Sequence, residues 1–134
     1  MLINIISEKK IVKEFISEVA EIINDVNFDI GTNFYLNYKF AKDAQYSTTT
    51  AMAELEFGIM DIVNLIKELT VKDYSHTLID NDKRYDGEML HVFGKMANDK
   101  LLYIKLKIRK GERIVVCISF HFAENELGFP YLKM

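Results

Sequence analysis

The chain has 134 residues, of which 49% are hydrophobic and 28% charged, with six Gly and one Pro. This size suits one domain with a substantial core, and the composition excludes a disordered, collagen-like or low-complexity chain. The single cysteine, Cys117, excludes an internal disulfide and a cysteine-rich zinc site, which fits a reducing compartment. No apolar stretch suits a signal peptide or approaches the roughly 20 residues that span a bilayer, so we expect a cytoplasmic protein without membrane contact.

The charge is distributed unevenly along the chain. The net charge of −3 argues mildly against nucleic-acid binding, because a strongly basic protein is the usual footprint of that function. Residues 100–113, however, carry six basic side chains against Glu112 alone, so this segment is +5 and the other 120 residues sum to −8. The positive charge is therefore concentrated in one part of the molecule.

The first half of the chain contains three helical patterns and one strand. Apolar residues at spacings of three and four predict an amphipathic helix over Ser7–Val26. The aromatic segment Phe34–Phe40 is typical of a strand. Ser47–Leu55 predicts a short helix with a hydroxyl N-cap, and Ile59–Leu69 predicts another helix after Gly58.

The second half reads as a loop followed by strands. Val71–Gly87 has no period of either kind and is interpreted as a long polar loop, a kind of segment that is often functional. Three strands follow, at Met89–Phe93, Leu101–Arg109 and Ile114–Phe122. We expect one α+β domain, in which N-terminal helices pack on a small antiparallel sheet that ends in a three-stranded meander. Its parts are a leading helix and strand (1–45), a helical pair (46–70), the polar loop (71–88), the meander (89–122) and a C-terminal tail (123–134).

The last two strands alternate in a way that predicts a polar sheet face. In Leu101–Arg109 the side chains at 102, 104, 106 and 108 are apolar, and those at 103, 105, 107 and 109 are Tyr, Lys, Lys and Arg. In the last strand we expect residues 114, 116, 118, 120 and 122 to face the core and residues 115, 117, 119 and 121 to face the other way. A three-residue turn at Lys110–Glu112 would pair Arg109 with Arg113, and would place Tyr103 opposite Ser119.

The predicted polar face would gather groups suited to metal-free RNA cleavage. A loop at Met96–Asn98 would bring His91 opposite Tyr103, beside His121, and the polar loop carrying His76 could fold over them. Cleavage by the RNA's own 2′-hydroxyl needs a base, an acid and cations, and histidine and lysine provide them. The alternative is an ordinary solvated sheet face, with His76 on the surface and His91 partly buried in the core. Three histidines so far apart do not indicate a metal site, and we expect no cofactor.

Short motifs in the same order resemble those of a known family. They are NLIKELTVKDYSHT, MLHVFG, LLYIKLKI and VVCISFHFAE, followed by Phe129-Pro130-Tyr131. Over residues 55–131 they resemble the MqsR-type toxins of bacterial toxin–antitoxin pairs, and more closely a divergent branch of that family. The resemblance implies a RelE-like α+β fold, cleavage of messenger RNA without a metal, and neutralisation by an antitoxin protein.

The resemblance also implies site residues. Tyr103 and Lys105 match the tyrosine and lysine of the family's YxK strand. The family's lysine after the SF pair is His121 here, and its loop lysine falls on Ser75, with His76 beside it. The family's glutamine and aspartate before the central strand fall on Leu90 and His91. Two of the family's functional residues are thus absent from this sequence. At three of the family's functional positions a histidine replaces the family residue or lies beside it.

The leading hypothesis is therefore a toxin-like endoribonuclease with a metal-free site. It assigns His121 as general acid or base, His91 or His76 as its counterpart, and Tyr103 to substrate contact. Lys105 would hold the phosphate, with the remaining predicted substrate-binding residues being Lys107, Arg109, Tyr74 and Ser75. The alternative is a non-catalytic protein-binding module, either an antitoxin or immunity-type protein or a degenerate toxin relative. Whether the chain forms a homodimer is left open.

Overall fold

The computed structural model describes residues 2–80 and 88–133. Within these residues the chain forms an α+β structure, as predicted, with three α-helices and six strands. The helices are α1 (Lys9–Ile23), α2 (Thr48–Leu55) and α3 (Ile59–Lys67), and the strands are β1 (Leu2–Ile5), β2 (Phe34–Leu36), β3 (Tyr74–Asp80), β4 (Glu88–Ala97), β5 (Lys100–Arg109) and β6 (Ile114–Phe122).

The strands form one open sheet in the order β1-β3-β4-β5-β6-β2. Each neighbouring pair is antiparallel except β2 and β6, which run parallel. The predicted meander is thus present as β4-β5-β6, and it extends by β3 and β1 on one side and β2 on the other. Because β1 and β2 are the outer strands, β5, which belongs to the segment with a net charge of +5, lies in the interior of the sheet.

The helices form where the apolar spacing predicts them. In α1 the buried residues are Val12, Val19, Ile22 and Ile23, which recur along one stripe of the helix. The residue before α3, Gly58, is its N-cap, and the Gly58 backbone N–H donates to the Asp61 carboxylate at 2.8 Å. Among the described residues, none of the helices is long and apolar enough to cross a membrane.

The core lies between the three helices and one face of the sheet. The sheet contributes side chains from its central strands, and each helix contributes its apolar stripe. Apolar burial of this kind is the main favourable term in folding. The largest fully buried side chains are Tyr74, Phe34, Phe93, Phe120, Ile62, Ile66, Leu102, Ile104 and Leu106.

The predicted polar loop is wrong over its first part, which is strand β3. Tyr74–Asp80 pairs with β4 on one side and with β1 on the other, as in the pairing of Ile79 with Met89 and with Ile3. A register irregularity between Tyr74 and His76 interrupts the alternation of buried and exposed side chains. The strand therefore lacks the two-residue apolar pattern by which a strand is predicted from sequence. The strand β1 was also not predicted, and residues 81–87 of the predicted loop lie outside the described residues.

The predicted loop of the first hairpin is wrong, and His91 consequently lies on the other face. The turn is Asn98-Asp99, with φ of 51° and 61°, and Ala97 pairs with Lys100 across it. Two consecutive residues with positive φ are typical of the tight turns that join twisted strands. His91 therefore pairs with Leu106, a core residue, and not with Tyr103.

The last hairpin differs from its predicted register in two places. The turn pairs Arg109 with Ile114, and a bulge at Ile118 shifts the pairing again, since Lys105 pairs with Ser119 while Leu106 pairs with Cys117. Two backbone carbonyls at the bulge accept hydrogen bonds from Asn37, whose N–H donates to Cys117 at 2.9 Å and whose side-chain amide donates to Ile118 at 3.1 Å. The bulge reverses the strand's phase, so residues 115 and 117 join the core cluster instead of 114 and 116.

The position of Cys117 provides a test of this bulge. Its side chain is 0% exposed, and burial raises the pKa of its thiol to about 12. We expect the native protein at pH 8 to react with a thiol reagent at least tenfold more slowly than the protein unfolded in guanidinium chloride, because only the thiolate reacts. Rapid labelling of the native protein would instead place Cys117 on the exposed face, as the uninterrupted alternation predicts.

Candidate active site

The polar face of the sheet is formed by β5 and β6, and we call it the basic face. It carries Tyr103, Lys105 and Lys107 from β5 and Ser119 and His121 from β6. Tyr103 pairs directly with His121, and Lys105 pairs with Ser119. The predicted polar set of residues 103, 105, 119 and 121 is therefore brought together, although the pairing within it differs.

His121 is held by a ring contact and by two polar contacts. Its ring stacks on Tyr103, with centroids 5.1 Å apart and planes 16° from parallel. The ring atom Nδ1 lies 2.9 Å from the Phe122 carbonyl oxygen, which only accepts hydrogen bonds, so Nδ1 carries a proton. In the neutral ring Nε2 therefore has a lone pair, which accepts a hydrogen bond from Lys39 Nζ at 3.4 Å.

Two lysines converge on this face without carboxylate partners. Lys39 follows β2, and within the described chain neither it nor Lys105 forms an ion pair. Burial and then the nearby Lys39 charge lower the pKa of Lys105. Like charges gathered on partly dehydrated side chains repel each other, and an anion relieves that repulsion. This arrangement favours binding of a negatively charged group.

His76 approaches the basic face from β3. It pairs with Val92, which in turn pairs with Lys105, so it lies two strands from that lysine on the same face. Burial and then the Lys105 charge lower the pKa of His76. The Ser75 hydroxyl lies 2.9 Å from His76 Nδ1, which orients the ring and leaves Nε2 for another partner.

These side chains share one cleft of about 350 Å³. Its floor is the basic face, and the segment after β6 forms a wall that brings in two acidic side chains. Burial lowers the pKa of His121, the Phe122 carbonyl opposes that shift, and Lys39, Glu124 and Lys105 act more weakly in opposite directions. The lining residues are Lys39, His76, Tyr103, Lys105, Ser119, His121, Glu124, Asn125, Glu126 and Leu127.

Tyr103 combines an aromatic ring with a phenolic hydroxyl on a partly buried side chain. Burial raises the pKa of its phenol, so the hydroxyl keeps its proton at neutral pH. The side chain can therefore donate a hydrogen bond in the cleft, as well as support the His121 ring through their stacking contact. Tyr103 thus lies on the predicted polar face, and its contact with a substrate stays a prediction.

Most of the remaining positive charge of residues 100–113 is already paired. Lys107 Nζ lies 2.7 Å from Glu88 Oε1, and Lys100 Nζ lies 2.7 Å from Glu54 Oε1. The guanidinium of Arg109 lies 5.8 Å from the Tyr35 ring centroid, and its Nη1 lies 4.0 Å from Glu112. Neither Lys107 nor Arg109 lines the cleft. The structure therefore does not bring these two predicted substrate-binding residues to the histidines.

His91 and Tyr74 are buried on the helix-covered side. His91 packs on Phe15 of α1 with ring centroids 4.3 Å apart, and its Nδ1 lies 2.9 Å from the Thr77 hydroxyl. The Tyr74 side chain is 0% exposed, accepts from the Ser7 N–H at 2.9 Å and lies 2.7 Å from the same hydroxyl. The placement of His91 on the basic face is thus wrong, and Tyr74 has no surface to offer a substrate.

Lys39 and Glu124 belong to the cleft but were not predicted. Lys39 reaches His121 because β2 pairs in parallel with β6, a contact between residues 82 positions apart. Nothing in the local pattern of the Phe34–Phe40 segment indicates this pairing. Glu124 follows β6 directly, and its proximity to His121 could have been expected from the sequence distance alone.

Comparison of the chain with protein-family models, with curated proteins and with solved structures finds no match. The resemblance to MqsR-type toxins consequently stays a prediction. In the described residues, no three His, Cys, Asp or Glu side chains are grouped so that they could hold a metal ion. Inference about function therefore depends on the side chains that line the cleft and on the contacts between them.

The two lysines should act differently on the two histidines. We expect the pKa of both His76 and His121 to lie below their ordinary value of 6.5 in the wild type. Lys105→Met removes a positive charge near both and should raise both pKa values, whereas Lys39→Met should raise that of His121 alone. Titration of the imidazole protons by NMR, with resonances assigned from single His→Gln variants, measures this; equal responses to the two substitutions would contradict the geometry.

Proposed function

We propose that the protein is an endoribonuclease that cleaves messenger RNA without a metal, in a site formed by His121, His76, Lys105 and Lys39. The observation that carries the proposal is the protonation of the His121 ring. With Nδ1–H donating to the Phe122 carbonyl, the lone pair of Nε2 is directed at Lys39 Nζ in the cleft, and a bound phosphate would attract this lysine and release the lone pair. A fixed lone pair beside an anion site is what a general base for RNA cleavage requires.

In the proposed reaction His121 Nε2 takes the proton of the ribose 2′-hydroxyl. The 2′-oxygen forms a bond to phosphorus, and the bond from phosphorus to the 5′-oxygen breaks. The leaving oxygen takes a proton from His76, so the products are a 2′,3′-cyclic phosphate and a 5′-hydroxyl. One proton enters the protein and one leaves it, and no oxidant, reductant or other reactant is consumed.

Lys105 and Lys39 are proposed to stabilise the charge that develops on the phosphate oxygens. Lys105 lies on the same face as both histidines, and its charge influences both. Fixed cations in a partly dehydrated cleft act more strongly than in water, because the surroundings screen them less. Bound phosphate would offset the charge of Lys105. The pKa of His76 would then rise, which favours the protonated form of His76 that acts as an acid.

The RelE-like fold and the antitoxin partner also belong to this proposal. The α+β architecture, with its antiparallel β4-β5-β6 meander, is compatible with a RelE-like fold. The ordered motifs of residues 55–131 support the MqsR-like assignment, and in such pairs a protein partner restrains the toxin. Binding of an antitoxin would explain how a cell tolerates the activity.

His121→Ala should lower the rate of RNA cleavage by about 10²- to 10⁴-fold, the usual contribution of a general base. His121→Gln should lose activity similarly while keeping a planar side chain against Tyr103. Initial rates on a defined RNA in the presence of EDTA, with the unfolding temperature of each variant, measure the effect. The matched control is His91→Gln, a buried histidine on the other face, which should keep wild-type activity.

The same variants can be compared in bacteria by following growth and messenger RNA together. Growth arrest with loss of messenger RNA for wild type and His91→Gln, but not for His121→Ala, is the expected pattern. A soluble, folded wild-type protein that leaves RNA intact in both settings would overturn the proposal. That result would favour the non-catalytic binding module.

Two lysines on one strand provide a second test. Lys105→Met should lower the cleavage rate by about 10²-fold, because a preorganised cation at the phosphate is lost. Lys107→Met, two residues further along the same face, should change it less than threefold, since Lys107 is paired with Glu88. Equal losses in the same rate measurement would indicate diffuse electrostatic steering instead of a phosphate site at Lys105.

A further inference from the structure

A second cavity of about 500 Å³ lies next to the cleft. It is formed where β1 ends, where β3 begins and where the segment after β6 crosses between them. The residues that define it are Asn4, Ile6, Ser75, His76, Phe129 and Pro130. The chemistry proposed above assigns a role to only one of these residues, His76, and leaves the rest of the cavity without one.

The two cavities adjoin at His76. This histidine lines both of them, and so do Glu126 and Leu127 of the segment after β6. A ligand bound by its phosphate at Lys105 would therefore reach the second cavity by extending past His76. Two adjoining cavities suit a polymer whose repeating units occupy neighbouring subsites.

The chemistry of the second cavity differs from that of the cleft. Its lining includes no lysine or arginine, whereas the cleft has Lys39 and Lys105. Its apolar surface comes from Ile6, Leu127, Phe129 and Pro130, and its lining includes the carboxylate of Glu126. A cavity without lysine or arginine, and with one aromatic and three aliphatic side chains, suits an uncharged flat group better than a second phosphate.

The wall of the second cavity is held in place at two points. Gly94 lacks a side chain where Phe129 crosses β4, since a Cβ atom there would lie 2.8 Å from Phe129 Cζ. Further along, the Tyr131 hydroxyl donates to the Ser7 carbonyl at 2.6 Å, and its ring stacks on Tyr74 with centroids 5.9 Å apart. The apolar wall is thus preformed, which lowers the ordering cost of binding.

We propose that the second cavity is a subsite for the nucleobase next to the phosphate that is cleaved. The proposal rests on the proposed ribonuclease function and names what the same site reads in its substrate. Asn4 lies on the edge strand β1, its side chain has no hydrogen bond within the described residues, and its amide can both donate to and accept from a base edge. Ile6 and Phe129 supply the surface against which the base packs.

The test uses a short RNA that the wild type cleaves at a single bond. Two further substrates each replace one nucleotide by an abasic one, on the 5′ or the 3′ side of that bond. The wild type should cleave one of these about tenfold more slowly than the intact RNA, which is the usual effect of losing one base-packing contact. The values of kcat/KM are compared for wild type, Asn4→Ala, Ile6→Ala and the control Asn64→Ala on the exposed side of α3.

Asn4→Ala and Ile6→Ala should each bring the ratio between intact and abasic substrate close to one, while Asn64→Ala keeps it at about ten. Both substituted side chains are exposed, Asn4 on β1 and Ile6 directly after it, and the unfolding temperature identifies a variant that fails to fold. A wild type that cleaves RNA with no preference, or two folded variants that keep the full ratio, would overturn the subsite alone. A wild type that cleaves no RNA would overturn the ribonuclease proposal and the subsite together.

Discussion

The site depends on the bulge at Ile118, where one extra residue in β6 changes which side chains face the core. Beyond the bulge, Phe120 and Phe122 pack with the helices while Ser119 and His121 join the basic face. Before it, Val115 and Cys117 occupy the core. Without the extra residue, a strand that buried Val115 and Cys117 would also bury His121. The bulge thus allows one strand to be apolar toward the helices along its length and still present a histidine beside Tyr103.

The electrostatics of the cleft follow from this arrangement. Two lysines, which have no carboxylate partner among residues 2–80 and 88–133, share a partly hydrated surface with two histidines, so each positive charge disfavours protonation of its neighbours. Elsewhere in residues 100–113, lysines form ion pairs with carboxylates, as Lys107 does with Glu88, and their positive charge is neutralised locally. A net charge of −3 is therefore compatible with two lysines on this face, because acidic side chains such as Glu54 and Glu88 pair with other lysines, while Glu124 and Glu126 lie in the wall of the cleft. The net charge of the whole chain therefore does not indicate the charge of this face.

The sequence predicts most of the regular structure, because the helices and the strands β5 and β6 have long apolar patterns. It does not predict β3, since the irregularity at Ser75 interrupts the alternation, and it places β4 out of register because the Asn98-Asp99 turn is shorter than expected. Residues 114–118 are all apolar, so no local pattern can indicate where the strand changes phase. The sequence nevertheless places His121, Tyr103 and Lys105 on one face. The turn and the bulge each shift the pairing of β6 by one residue, and a total shift of two residues leaves each side chain beyond the bulge on its predicted face. Lys39 depends on a distant parallel pairing that local patterns do not encode.

The hydrogen bond between Tyr131 and the Ser7 carbonyl has a consequence for the wall of the cleft. It joins residues that lie 124 positions apart, and the wall-forming residues 124–130 lie between β6 and this contact. The wall is therefore a loop that is held at both ends, one in the sheet and the other against the segment that follows β1. Loss of the bond would weaken the second attachment, so the cleft and the neighbouring cavity would lose a boundary that they share.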